Sequence, residues 1–127
     1  MDLSQLDTTI KASDGAEMVL RHPISNEPTD VRLILKGSEA MDVKAAFSRF
    51  RRIMDDTKKS DAEKERAANN VIIKCIINIK NASYAGKPLT NSLADIELFV
   101  AKFSWASDQI FAFIGDLENF LPDSNDN

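Results

Sequence analysis

The sequence is poor in the residues from which catalytic and metal sites are usually built. Its 127 residues include one cysteine, one histidine, four glycines and four prolines. A single histidine excludes metal sites built on paired imidazoles, and a single cysteine cannot form an internal disulfide. Gly86-Lys87-Pro88-Leu89-Thr90 lacks the preceding strand and glycine-rich turn of a phosphate loop. We therefore expect a protein that is not an enzyme and has no cofactor or metal site.

Neither His22 nor Cys75 stands in a pattern typical of catalysis. His22 precedes a proline in a turn, and no serine or cysteine nucleophile accompanies it. Cys75 lies in an isoleucine-rich segment, where a thiol is usually a small buried hydrophobe rather than a reactive thiolate. The neighbouring acids Asp55-Asp56 lie beside Lys58-Lys59, which is typical of a solvated charge cluster.

Long hydrophobic runs are missing as well. The longest apolar stretch, Val71 to Ile79, is interrupted by polar residues and is shorter than the roughly 20 residues that a membrane span needs. The first twenty residues carry four acidic side chains, where an export signal has a basic start and an apolar middle. We expect no membrane span and a reducing, cytoplasmic environment.

Charge is unevenly distributed along the chain. The net charge is −4 and the pI is about 5.0, which argues against a nucleic-acid partner. Residues 1–37, 38–90 and 91–127 carry net charges of −2, +4 and −6. The contrast between the middle and the last third indicates either internal pairing across helices or steering of a protein partner.

Two strand-length runs predict an N-terminal β-hairpin. Ala16–Arg21 and Asp30–Lys36 are rich in branched residues, and the second run alternates. The link at residues 22–29 contains two prolines and an asparagine, so it is a turn. Two strands alone are marginal in water, so the ribbon must pack on helices, pair with a third strand or pair with another chain. Residues 1–15 show no period and are expected to form a flexible arm or a short edge element.

Two helices are predicted next. Ser38 is a candidate N-cap for the first, whose apolar stripe of Val43, Phe47, Phe50 and Met54 continues to about Thr57. A capping box at Ser60–Glu63 begins the second, and we expect it to continue to Ile79. The isoleucine density leaves a buried strand over Val71–Ile79 open as the alternative.

Two shorter helices complete the prediction. After a loop at residues 81–88, the third begins near Thr90 to Ser92. The fourth starts after Ser104 and carries Ile110, Ile114, Leu117 and Leu121 on one face, with Phe113 and Phe120 on its flank and Phe111 about 100° away. The chain is thus predicted to be one α+β domain over residues 16–121, a β-hairpin packed on a bundle of about four helices. Residues 122–127 are expected to be a disordered tail.

Four short motifs occur in order over residues 16–121. They are His22-Pro23 with Pro28 between the strands, Leu35-Lys36-Gly37-Ser38 before the first helix, Tyr84-Ala85-Gly86 before the third, and Asp116-Leu117-Glu118-Asn119-Phe120 at the end. In this arrangement the chain resembles the tail assembly chaperones of long-tailed (siphovirus-type) bacteriophages and prophages. It departs from them at Tyr84, where relatives often have tryptophan, whereas its own tryptophan is Trp105.

The resemblance implies a non-structural assembly factor that acts in the cytoplasm of the bacterial host. Such a factor binds the tape-measure protein, keeps its long hydrophobic helices soluble and helps tail-tube subunits to polymerise around it. Many such phages also make a longer, frameshifted version of the chaperone, which would be a further partner. A second copy of the same chain, in a homo-oligomer, is another candidate partner. A small virion protein, such as a minor tail or head–tail joining component, and an unrelated cytoplasmic adaptor are the alternatives.

The candidate contact residues for a protein partner fall into three groups. One is the hairpin edge with Val31, Leu33 and Leu35, where an extended segment could pair. Another is the side of the last helix with Phe111, Phe113 and Phe120. Aromatic residues that flank the third helix are candidate anchors, namely Tyr84 and Trp105.

Overall fold

The computed structural model describes residues 1–122, and its architecture is α+β, as predicted. In chain order the elements are a 3₁₀ turn η1 (Leu3–Leu6), α1 (Thr9–Asp14), β1 (Ala16–Arg21), β2 (Pro28–Leu35), α2 (Met41–Asp55), α3 (Asp61–Cys75), β3 (Ile76–Lys80), β4 (Ser83–Tyr84), β5 (Lys87–Pro88), α4 (Leu93–Lys102), α5 (Ala106–Gly115) and a 3₁₀ turn η2 (Leu117–Phe120). Of the predicted tail, residues 123–127 lie outside the described part of the chain.

The predicted hairpin is confirmed, and a third strand completes its sheet. β1 and β2 pair antiparallel with Met18 opposite Leu33, and β2 pairs antiparallel with β3, with Leu33 opposite Ile79. The strand order β1-β2-β3 makes β2 the central strand. Its alternate residues Leu33 and Leu35 are fully buried, as the period of two requires for a sheet with one face on the core.

Val71–Ile79, for which the sequence left both a helix and a strand as alternatives, is part helix and part strand. Ser60 caps α3, since its Oγ accepts from the Glu63 N–H at 3.1 Å, but Glu63 contacts the Ser60 hydroxyl at 3.4 Å rather than a backbone N–H. The helix ends at Cys75, so the predicted continuation to Ile79 is wrong. From Ile76 the backbone is extended and pairs with β2. Branched side chains favour a strand, and the open edge of β2 supplies backbone partners that a helix would not use.

The helix boundaries differ from the prediction at two further places. α2 begins at Met41 with Ala40 as N-cap, so the prediction of Ser38 as N-cap is wrong; Ser38 lies two residues earlier, where its N–H donates to the Ile114 carbonyl at 3.1 Å. α5 ends at Gly115, and Leu117 is 49% exposed instead of lying on the apolar face. The predicted start of α4 is confirmed, with the Ser92 Oγ accepting from the Asp95 N–H at 3.2 Å.

The N-terminal segment, expected as a loose arm or an edge element, instead has two short helical elements. α1 begins at Thr9 with Thr8 as its N-cap residue, and just before it the Asp7 Oδ1 accepts from the Thr9 N–H at 2.9 Å. Ala12 is fully buried, and its carbonyl accepts from the Gly37 N–H at 2.9 Å. α1 spans six residues, which is too short to show a helical period, and its order depends on contacts with residues distant in sequence.

The core joins the buried face of the sheet to the helices. Its fully buried side chains come from α1, β2, α2, α3, α5 and η2, and the largest are Phe120, Leu33, Leu35, Ile72, Ile110, Ile114, Val43 and Val71. Among residues 1–122, no helix is long and apolar enough to cross a membrane.

Candidate protein-binding groove

An open apolar groove of about 420 Å³ lies where the β1–β2 hairpin, the segment after β3 and the junction of α4 with α5 meet. We call it the aromatic groove. Its apolar lining consists of Leu20, Val31, Ala82, Leu89, Phe99, Phe103 and Trp105. Leu20, Leu89 and Phe99 are buried and form the floor, whereas Val31, Phe103 and Trp105 are partly exposed. The groove is therefore anchored in the core and open to solvent.

An irregularity in the sheet shapes the wall formed by the hairpin. The register between β1 and β2 shifts between Val19 and Arg21. At this point the Thr29 hydroxyl donates to the Leu20 carbonyl at 2.7 Å and accepts from the Val31 N–H at 3.2 Å. A bulge of this kind bends a strand and redirects its side chains. Here it lies at the residues that line the aromatic groove.

Three aromatic contacts connect the opposite wall. Phe99 and Phe103 lie 5.5 Å apart between ring centroids, and Phe103 also meets Trp105 edge-on at 6.1 Å. Tyr84 meets Phe103 edge-on at 5.9 Å and is 38% exposed. Pairs in this geometry each add about 0.5–1.5 kcal/mol beyond the burial of their surface. Tyr84 and Trp105, which the sequence analysis proposed as anchors, therefore both contact the ring of Phe103, which it did not propose.

The small hairpin β4–β5 holds Tyr84 in place. The sequence predicted a loop here, and the structure adds two short strands joined by Ala85 and Gly86. Both turn residues have positive φ, 51° and 82°, as a type I′ hairpin turn requires. Glycine adopts this backbone freely, whereas an alanine there is strained. The Leu89 N–H donates to the Ala82 carbonyl at 2.9 Å and closes the base of the hairpin.

Two polar side chains at the rim of the groove, those of His22 and Asn81, form hydrogen bonds with the backbone. The His22 Nδ1 accepts from the N–H groups of Ile24 and Ser25 at 3.1 and 3.2 Å. The imidazole thus organises this turn as a hydrogen-bond acceptor. The Asn81 amide donates to the Asp30 carbonyl at 3.2 Å and ties the end of β3 to the start of β2.

Cys75 and Asp42, two groups with shifted pKa values, do not line the groove. Burial raises the pKa of the Cys75 thiol to about 12, with the Asp42 carboxylate adding to the effect and Lys36 opposing it. Asp42 itself has a lowered pKa, chiefly because its carboxylate accepts from the Lys36 ammonium at 2.7 Å. Within residues 1–122, no group of three histidine, cysteine or acidic side chains could hold a metal ion.

The structure separates the residues that the sequence analysis proposed as contacts. Val31, Tyr84 and Trp105 lie in or beside the aromatic groove. The proposed hairpin edge is wrong, because β2 is the central strand and Leu33 and Leu35 are fully buried in it.

The three phenylalanines proposed on the last helix do not form one surface. Phe111 packs against Phe47 of α2 at 6.0 Å. Phe113 packs against the buried Phe120 at 5.7 Å. Sequence reasoning missed five apolar residues of the groove, namely Leu20, Ala82, Leu89, Phe99 and Phe103. The spacing of Phe103 and Trp105, at the end of one helix and the start of the next, was the available signal.

Fold and site together define an α+β protein with an open apolar groove lined by aromatic side chains. Comparisons of the chain with protein-family models, with curated proteins and with solved structures found no match.

Proposed function

We propose that this protein is a non-catalytic binding protein that holds an apolar segment of another protein in the aromatic groove. The observation that carries this proposal is the partial exposure of Phe103, Trp105 and Tyr84 around a buried apolar floor. Aromatic residues in partly desolvated pockets are typical of the anchoring points of protein interfaces. The groove volume of about 420 Å³ is within the common range of binding pockets.

Within this class, the protein acts as a tail assembly chaperone of a long-tailed phage, in the cytoplasm of the bacterial host. Its client is the tape-measure protein, which it keeps soluble while tail-tube subunits assemble. The support is the resemblance in sequence, together with the placement of three of its motifs. Tyr84-Ala85-Gly86 forms the hairpin beside the aromatic groove. Gly37 of the second motif packs against Phe120 of the last one.

A groove of this size suits reversible holding. Burying one leucine or phenylalanine side chain of the client contributes about 1.5–3 kcal/mol. Two such side chains give about 3–6 kcal/mol before the cost of association, which corresponds to weak binding. A chaperone must release its client when the tube forms, so several weak contacts along a long apolar helix serve better than one tight contact.

Co-expression with a fragment of the tape-measure protein tests the proposal. Trp105 is the N-cap residue of α5, so Trp105→Asp removes an aromatic wall and places a charge in the groove while supplying a favoured capping side chain. Val31→Asp likewise places a charge in the groove, at the opposite wall. We expect both variants to remain folded by circular dichroism and to lose the ability to keep the fragment soluble.

Leu117→Asp is the matched control, because Leu117 is 49% exposed and does not line the groove. It should solubilise the fragment as the unchanged protein does. Folded Trp105→Asp and Val31→Asp variants that still solubilise the fragment would contradict the role of the groove. If the protein remains in purified phage particles as a stoichiometric component, it is a structural protein and the chaperone assignment is wrong.

A further inference from the structure

The outer half of the α2–α3 helical hairpin is poorly covered by the rest of the protein. Of residues 47–70, all of which the structure describes, none is fully buried. Phe50 and Ile53 point an apolar stripe toward α3 yet stay partly exposed, and Met54 is 45% exposed. Helices in globular proteins gain most of their stability from packing an apolar face. Phe50 packs against the edge of the core, and the stripe is open to solvent at Met54.

A groove of about 300 Å³ follows this stripe between the two helices. We call it the helical groove, and it shares no lining residue with the aromatic groove. Its floor includes Phe50, Ile53 and Ala67, and Arg49 of α2 and Arg66 of α3 lie on its rim. Glu63 also lines it, and its carboxylate pairs with the Lys59 ammonium at 3.5 Å.

The arginines of this hairpin have no acidic partner within the described chain. No carboxylate of residues 1–122 forms an ion pair with Arg49, Arg51, Arg52 or Arg66. The interpretation that the basic middle of the chain pairs with the acidic last third is therefore not supported by an ion pair among these residues. The ion pairs of the middle segment join it to itself or to residues 1–37, as in Lys44 with Glu39 at 3.3 Å and Lys80 with Glu17 at 3.7 Å.

We propose that the helical groove binds an acidic amphipathic helix of a partner protein. The apolar floor would receive side chains spaced three and four residues apart, as in other helix-in-groove complexes. Carboxylates on the flanks of that helix would meet the guanidinium groups of Arg49 and Arg66, which present planar, bidentate donors. Charge complementarity at such a rim selects the partner and speeds its association.

A nucleic acid fits these observations less well than a protein helix. Its phosphates would use the arginines but would leave Phe50 and Ile53 uncovered. The site is also independent of the chaperone assignment, because it depends on different residues from the aromatic groove.

Fluorescence anisotropy with the purified full chain tests this site. The probe is a labelled helical peptide with leucine at positions a and d and glutamate at e and g of each heptad. We expect saturable binding that weakens as NaCl is raised. The Arg49→Glu, Arg66→Glu double variant should weaken binding at least about tenfold, because like charges then face each other across the rim. The milder pair Arg49→Gln, Arg66→Gln should weaken it by a smaller factor.

Arg51→Glu is the matched control, since Arg51 belongs to the same helix and does not line the groove. It should change the affinity less than about threefold. The proposal is overturned by failure of the acidic peptide to bind, by equal binding of a lysine-for-glutamate version of the peptide, or by unchanged binding to either rim double variant. Displacement of the peptide by a single-stranded oligonucleotide would overturn it in favour of a nucleic-acid site.

Discussion

Gly37 and Phe120 are in direct contact, so the segment that follows β2 packs against the last 3₁₀ turn, η2. A Cβ atom at Gly37 would lie 3.0 Å from three carbon atoms of the Phe120 ring. The Gly37 N–H also donates to the Ala12 carbonyl at 2.9 Å. The segment between β2 and α2 is therefore the place where the first helix, the sheet and the last turn meet, and a side chain at Gly37 would force the Phe120 ring to shift.

Replacing Gly37 by alanine should destabilise the protein by about 1–3 kcal/mol, because the added methyl group must displace a fully buried ring. Chemical denaturation with urea measures the change in the free energy of unfolding. Gly115→Ala is the control, since a Cβ at Gly115 meets no atom within 4 Å, and it should be neutral or stabilise by up to about 1 kcal/mol. Equal effects of the two substitutions would show that the contact with Phe120 is not the cause.

The side chain of Gln109 takes the place of a neighbouring strand beside β1. Its Oε1 accepts from the Arg21 N–H at 2.9 Å, and its Nε2 donates to the Arg21 carbonyl at 2.9 Å. Both backbone groups at the end of this edge strand are thereby occupied. An edge strand with free backbone groups can pair with another chain, so this contact also protects against association.

Gln109→Ala should lower the free energy of unfolding by about 1 kcal/mol, because two partly exposed hydrogen bonds are lost. Amide hydrogen exchange should be faster at Arg21 than in the unchanged protein. Gln109→Glu separates the two bonds, since a carboxylate can accept from the Arg21 N–H but cannot donate to its carbonyl. It should retain part of the protection at Arg21, and slow exchange in Gln109→Ala would refute the role of the side chain.

Cys75 should make stability fall at alkaline pH. Burial raises the pKa of the folded thiol from 9.0 to about 12. Below pH 9 the thiol is protonated in both states, and above pH 9 only the unfolded state loses the proton. The free energy of unfolding should therefore fall by up to about 1.4 kcal/mol per pH unit between pH 9 and 12 from this group. Urea denaturation at a series of pH values measures the slope.

Cys75→Ala provides the comparison, because it lacks the titrating thiol and keeps every other alkaline group. Its free energy of unfolding should decline less steeply above pH 9 than that of the unchanged protein. A thiol reagent at pH 8 should label Cys75 slowly in the folded protein and rapidly in urea. Parallel slopes in the two proteins would mean that the thiol titrates alike in both states.

Short-range signals explain the parts of the fold that were predicted correctly. Ser60 and Ser92 begin helices as N-caps because each side chain bonds a backbone group three residues away. The hairpin follows from alternation on either side of a proline-containing turn, since the period of two belongs to the strand itself. These interactions need no distant partner, so the amino-acid order is sufficient to predict them.

Long-range contacts account for the errors. Residues after Cys75 suit a helix or a strand by their own preferences, and the open edge of β2 decides for the strand. Phe120 was expected on a helix flank, but η2 turns it into the space left by Gly37. The contact residues Leu33 and Leu35 were misassigned because the existence of β3 determines which strand is central.

The sequence by itself determined an α+β architecture with capped helices and few groups for catalysis, because residue counts and local hydrogen bonds carry that information. The aromatic groove depends on the tertiary structure, since Leu20, Leu89 and Phe103 become neighbours only when the hairpin packs beside α4. The helical groove likewise requires α2 and α3 to lie side by side, which brings Arg49 and Arg66 to one rim. Packing between distant segments, which no local pattern encodes, decides where a partner can bind.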